Sequence, residues 1–141
     1  MKLNFVVLGL LVVSVTGVGG ADPSPTTLQY EPAIVELSGS ISLEVHYGPP
    51  NFGENPKTDK KEQVPILKLQ LPISVQGDPK NDLDGDSFNN VDHLQLLMQP
   101  SQSLKEYMDK KVTVKGTLFE KQSGENFTDV LMNVQKITLM P

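Results

Sequence analysis

Between Asn81 and His93 the chain reads NDLDGDSFNNVDH, which sets Asp82, Asp84, Asp86 and Asn90 around Gly85. Carboxylates on alternate positions about a glycine are the oxygen donors of a calcium loop, because hard cations take several oxygen ligands at once. An EF-hand register with Gly85 at the turn would begin at Lys80 and end at Val91, where an acid and a bidentate Glu are required. A shorter register from Asp82 puts Ser87 at the sharp turn and His93 where the last carboxylate belongs. The competing reading is a polar connection whose Asn and Asp side chains make Asx turns and tolerate left-handed backbone. The residues favour that connection, so no metal is assigned and these four remain a calcium candidate only.

Other chemistry is thinly represented. There is no GxSxG, no HExxH and no glycine-rich phosphate loop. The two histidines are His46 and His93, and the chain has no cysteine, which removes thiol catalysis and zinc–thiolate sites together. His46 falls on the wet side of an alternating segment and reads as a solvated imidazole. The expectation is a protein without enzymatic activity and without a cofactor. The sequence NFT at Asn126–Thr128 is a glycosylation sequon that matters only in a eukaryotic host.

Recognition chemistry is better supplied. Two turn-rich stretches, 48–63 (GPPNFGENPKTDKKEQ) and 120–128 (EKQSGENFT), carry Asn and aromatic residues together. Tyr47, Asn51, Phe52, Asn126 and Phe127 are the candidate ligand-binding residues. An Asn amide both donates and accepts, and an aromatic ring stacks on a sugar or peptide group.

The elements that must position these residues are strands. From Val35 to Tyr47 the odd positions are Val, Leu, Gly, Ile, Leu, Val and Tyr, and the even ones are polar. Alternation this long predicts one strand with a buried face, bent where Gly39 falls on that face. A second strand is expected over 64–76, with Leu67, Leu69, Leu71, Ile73 and Val75 inward and an interruption at Pro72. A third covers 92–99, a short helix 101–111 places Leu104, Tyr107 and Met108 on one face, and strands 111–119 and 129–139 close the chain. Five strands with a helix between the third and fourth is the order of a five-stranded OB-fold-like Greek-key barrel. In that fold the loops after the first and fourth strands flank the usual ligand face, and here these are the two Asn- and Phe-bearing stretches.

Composition bounds the setting. The opening MKLNFVVLGLLVVSVTGVGGAD has one charge at Lys2, an apolar run and then small residues, the layout of a cleavable secretory signal. The expected division is a signal peptide over 1–21 cut after Ala21, a disordered lead-in over 22–29, and a barrel domain over 30–141. The apolar run is too short for a permanent span, so no stable membrane insertion is expected after cleavage and the product is periplasmic or secreted. The net charge is −5 and every cationic side chain is Lys. Without a basic patch or Arg forks, nucleic acid is not an expected partner.

Four stretches in order, YEPAIVELSG (Tyr30–Gly39), GPPNF (Gly48–Phe52), LQLPISV (Leu69–Val75) and KKVTVKGTLF (Lys110–Phe119), resemble the secreted bacterial family catalogued as domain of unknown function 4431. The resemblance implies export and an OB-like small barrel, and implies no activity. Where the family tends to have Pro-Ile-Cys-Val, this chain has Ser74 in the thiol position. Glu125, Asn126 and Phe127 stand where relatives often carry three histidines, so any metal chemistry of that run does not transfer. The reading that results is an exported binding module for a small polar ligand, a glycan or an envelope protein. The alternative is a structural or protein-interaction factor of the bacterial cell envelope.

Overall fold

The computed structural model describes residues 26–141. The expected signal peptide and residues 22–25 of the lead-in lie outside the described residues. The rest of the lead-in is not irregular. Thr26–Gln29 form a short strand, β1, parallel to the end of β3 from Thr26↔Ile73 to Gln29↔Gln76. Two β-branched residues suit the pleat, and Leu28 packs on the core.

Five longer strands follow: β2 (Ile34–Tyr47), β3 (Lys61–Gln76), β4 (Phe88–Leu97), β5 (Lys111–Glu120) and β6 (Val130–Leu139). Hydrogen-bonded neighbours run β2–β3–β4–β6–β5 and return to β2, which closes the sheet into a barrel-like ring. All these pairings are antiparallel except β4 with β6. The protein is therefore mainly β, with the strand count and closure expected from the alternation.

Gly39 is the joint of the ring. It is opposite Val112 of β5 on one side and Leu69 of β3 on the other, where β2 passes from one partner to the next. A side chain there would run into the carbonyl of Lys68, so only glycine lets the two backbones come this close. Inside the ring, Leu37, Ile41, Leu67, Leu94, Leu96, Val112, Val114, Leu118 and Met132 are buried.

Three expectations need correction. The helix over 101–111 is a single 3-10 turn, Lys105–Tyr107. An isolated helix of that length gains little from its own hydrogen bonds, and here the backbone is drawn along β2 instead. Met108 bridges Ile41, and the Asp109 N–H donates to the Ile41 carbonyl at 3.0 Å. Leu104, Tyr107 and Met108 still pack on the core, as their spacing suggested. Leu71, expected inward, is 62% exposed because the β3–β4 ladder breaks between Lys68 and Ile73, around Pro72. Leu43 and Val45 continue the inward face of β2 but are exposed, since β2 and β3 run on past the ring as a two-stranded ribbon.

The outer face also carries a buried row that alternation alone does not reveal. Ile66, Gln95, Leu131 and Phe119 lie side by side across β3, β4, β6 and β5, on the face opposite the core, and all four are buried. The outside of the sheet is covered at this level.

Candidate functional site

The ribbon of Leu43–Tyr47 and Lys61–Pro65 carries the loop 48–60, which is held from within by one side chain. The Asp59 carboxylate accepts the N–H groups of Asn51 and Gly53, each at 2.8 Å, and of Asn55 at 3.0 Å. Burial by itself would raise this carboxyl, but the N–H groups of Asn55, Asn51 and Gly53 outweigh it and hold it below the usual carboxylate value. The loop is thus built around a fixed negative charge, with Phe52 in left-handed backbone (φ 52°) and its ring half exposed.

The opposing loop, 121–129, is pinned by two buried polar residues. Gln95 of the outer row accepts the Phe127 N–H at 2.7 Å and donates its amide to the Glu125 carbonyl at 3.4 Å. Its own backbone N–H donates to the Thr128 hydroxyl at 2.9 Å, which in turn donates to the Val130 carbonyl at 2.7 Å. Asn126 folds its side-chain oxygen back onto the N–H groups of Gln122 and Ser123.

The two loops meet. The Phe52 ring lies over Gly124, where an added Cβ would be 3.2 Å from its Cζ. The Phe127 ring stacks on His46, with centroids 4.4 Å apart and planes inclined by 19°. Tyr47 packs its ring under Gly53, and the Lys61 ammonium stands 5.9 Å from the Tyr47 centroid. Beside this junction the β3–β4 pairing ends at Ile66↔Gln95 and the strands diverge. The slot between them has a volume of about 710 Å³ and is lined by 60–65, 95–98 and Phe127.

Of the five candidate binding residues, Phe127 lines the slot and Phe52 joins the two loops. Tyr47 stands behind the slot, carrying Lys61. Asn51 and Asn126 instead hold their own loops, Asn51 through its backbone N–H. The residues that sequence reasoning passed over are Asp59, Gln95 and Thr128. A polar Gln between Leu94 and Leu96 was the one visible sign, since its alternation placed it outward without saying what covers it. His46, expected to be solvated, is instead half-buried under Phe127, with Nε2 3.2 Å from the Glu44 carboxylate.

The calcium candidate lies elsewhere, between β3 and β4. Asp84 is buried and accepts the Glu120 N–H at 2.9 Å; Asp86 donates its N–H to the Glu120 carboxylate, and its carbonyl accepts the Tyr30 hydroxyl. Asn81 accepts the N–H groups of Leu83 and Asp84 in an Asx turn. Asp82 is exposed and Asn90 sits in β4 with φ 55°. Among the described residues no three His, Asp or Glu side chains converge as a metal site requires. Burial raises the Glu120 carboxyl above its ordinary value, and the charges of Asp86 and Asp84 add to it. Burial likewise raises the Tyr30 phenol, with Glu120 and its acidic neighbours adding to it. Among the described residues no helix is long and apolar enough to cross a membrane.

Residues 93–138 match a family model described as Domain of unknown function (DUF4431). The matched stretch spans the second half of β4, the 3-10 turn, β5, the loop 121–129 and nearly all of β6, so it includes Gln95, Phe127 and Thr128 and leaves out the loop 48–60. No curated protein and no solved structure matches the chain.

Proposed function

For a chain whose residues 93–138 match the DUF4431 family model, we propose that it is an exported, non-enzymatic, OB-fold-like binding module, with the slot beside Phe127 as its recognition site. The observation that carries this reading is the junction of two internally braced loops, His46 on Phe127 and Phe52 on Gly124, along a slot of about 710 Å³. Preorganised walls spare a ligand the ordering cost that mobile loops would impose. The slot offers one aromatic face, lysines at its mouth and apolar strand residues inside, which suits a ligand with both polar and apolar parts. A hollow of similar size, about 700 Å³, lies at the acidic end between Gln29–Ala33 and Gln76–Asp84, but no aromatic wall formed by two loops frames it. Export rests on the leader-like opening of the chain.

The test is titration of the protein with soluble oligosaccharides, amino acids and peptides, followed by backbone amide NMR. Shifts should cluster at Lys61, Gln95 and Phe127, and Phe127→Ala should remove them while leaving the rest of the spectrum unchanged. Shifts confined to the acidic end would refute the assignment. A second reading, a protein-contact factor of the cell envelope, is favoured by Leu43 and Val45, exposed on the free side of the ribbon. It predicts that Val45→Asp abolishes pull-down of an envelope protein while Phe127→Ala does not.

A further inference from the structure

The register of the ribbon fixes which backbone groups face the slot. Gly48 donates its N–H to the Lys60 carbonyl at 2.7 Å, continuing the pairing that sets Tyr47 opposite Lys61. In an antiparallel ladder the hydrogen-bonded pairs alternate, so even-numbered residues of β3 bond to β2 as far as Lys68. Two facts agree. Pro65, which has no N–H, falls on an odd position, and the odd residue Ile41 gives its carbonyl to Asp109 rather than to β3. The backbone groups of Lys61 and Gln63 and the Pro65 carbonyl therefore point into the slot. The same alternation turns Leu96 toward it from β4, beyond the Leu67↔Leu94 pair. The β3–β4 pairing starts only at Ile66↔Gln95, so Lys61, Gln63 and Pro65 are paired with β2 alone, and Leu96 is paired with Met132 of β6 but with no residue of β3.

We propose that the slot takes an extended peptide segment of a partner protein, added as a strand along the Lys61–Pro65 edge of β3. An acidic side chain of the segment lies toward Lys60 and Lys61, and an apolar one lies against Phe127. Unpaired donors and acceptors on a strand edge recognise another extended backbone and little else. The slot supplies the rest: Pro65, Leu97, Met98 and Phe127, none of them fully buried, for alternate apolar side chains, and two adjacent lysines in a chain that is acidic overall. Lys60 is well exposed even while paired with Glu62 at 3.3 Å, so it can reach a second carboxylate. This names the ligand class of the recognition site proposed above and rests on that reading.

The experiment pans the protein against a random library of terminally blocked peptides of about seven residues, enough to span Lys61–Pro65 with one residue to spare at each end. Selected peptides are remade with N-methyl groups on alternate residues. Methylation in one register should weaken binding about tenfold or more and in the other register about twofold at most, since only one set of amides meets β3. On the protein side, Gln63→Pro removes one slot-facing N–H without touching the β2 ladder and should cause a similar loss, while Gln63→Ala should not. Selected peptides that ignore methylation in both registers overturn the proposal, as does the absence of any selected peptide. If Val45→Pro abolishes binding and Gln63→Pro does not, the free edge of β2 is the true partner and the proposal also fails. In each of those cases, oligosaccharide-induced shifts at Phe127 would leave the broader recognition reading standing. Their absence as well would end both.

Discussion

The Thr128 hydroxyl joins loop 121–129 to the sheet, and its removal tests the idea that the loop is braced rather than merely draped. Thr128 is 6% exposed; its oxygen receives the Gln95 N–H and donates to the Val130 carbonyl. Thr128→Val keeps the shape and swaps the hydroxyl for a methyl. Two hydrogen bonds go, and a buried backbone N–H is left without an acceptor, which costs about 1–3 kcal/mol. Burying the extra methyl returns about 0.8 kcal/mol, so the net loss should be about 0.2–2 kcal/mol. Thr128→Ser is the control, because it keeps both hydrogen bonds and sheds one methyl, at about 1 kcal/mol. Urea denaturation gives both values, and an unchanged m-value certifies that stability alone has moved. Hydrogen exchange supplies the second readout: the Phe127 and Gln95 amides should lose protection in the Val variant and keep it in the Ser variant. If Val proves as stable as wild type, or if Ser loses the amide protection and Val does not, the hydroxyl is not the brace and the reasoning about the loop fails.

Asp59→Asn exchanges a three-fold acceptor for an amide that can satisfy fewer of the same N–H groups. Because the folded carboxyl is held below its unfolded value, the stability it gives is present above the unfolded value and lost as pH falls through the lowered one. The variant should melt lower than wild type at neutral pH, with the gap closing as pH drops below about 4. Glu120 has the opposite sign. Its folded carboxyl is raised, so the fold favours the protonated form and this group's contribution declines as pH rises from the ordinary carboxylate value through the raised one. Glu120→Gln keeps an acceptor for the Asp86 N–H and should flatten that part of a melting-temperature profile; an unchanged slope would contradict the shift. Gly39→Ala pushes a methyl into the Lys68 carbonyl and should cost about 2–3 kcal/mol by denaturation, with strain spreading to both β3 and β5.

The ring was legible because its strands alternate cleanly and Gly39 marks the place where one of them changes partner. Both signals are local, and both survive folding. The helix at 101–111 was misread because its spacing satisfied a helix and an extended segment against β2 equally well, and long-range bonding to Ile41 decided the matter. β1 was missed since four residues in a Pro-rich, polar lead-in have no period to detect. At the site, Phe52 and Phe127 fall on the two loops that meet, while the Asn126 side chain and the Asn51 backbone N–H are engaged within their own turns. Asn126 looks free in the sequence, yet its side chain serves its own turn, while the polar groups that hold the loops are Asp59, Gln95 and Thr128. Their roles depend on what lies over the outer face of the sheet, which no periodicity along one strand can report.

Pro65 carries a consequence beyond its own position. It stands where the seam between β3 and β4 would take its next stitch, opposite the side of β4 that Leu96 turns toward it, and it has no hydrogen to give. One ring in the main chain thus stops the zipper short and keeps a doorway ajar at this end of the ring. An ordinary residue in its place would invite the seam to run on and seal the opening. The vacancy is a property of the backbone, fixed before any visitor arrives.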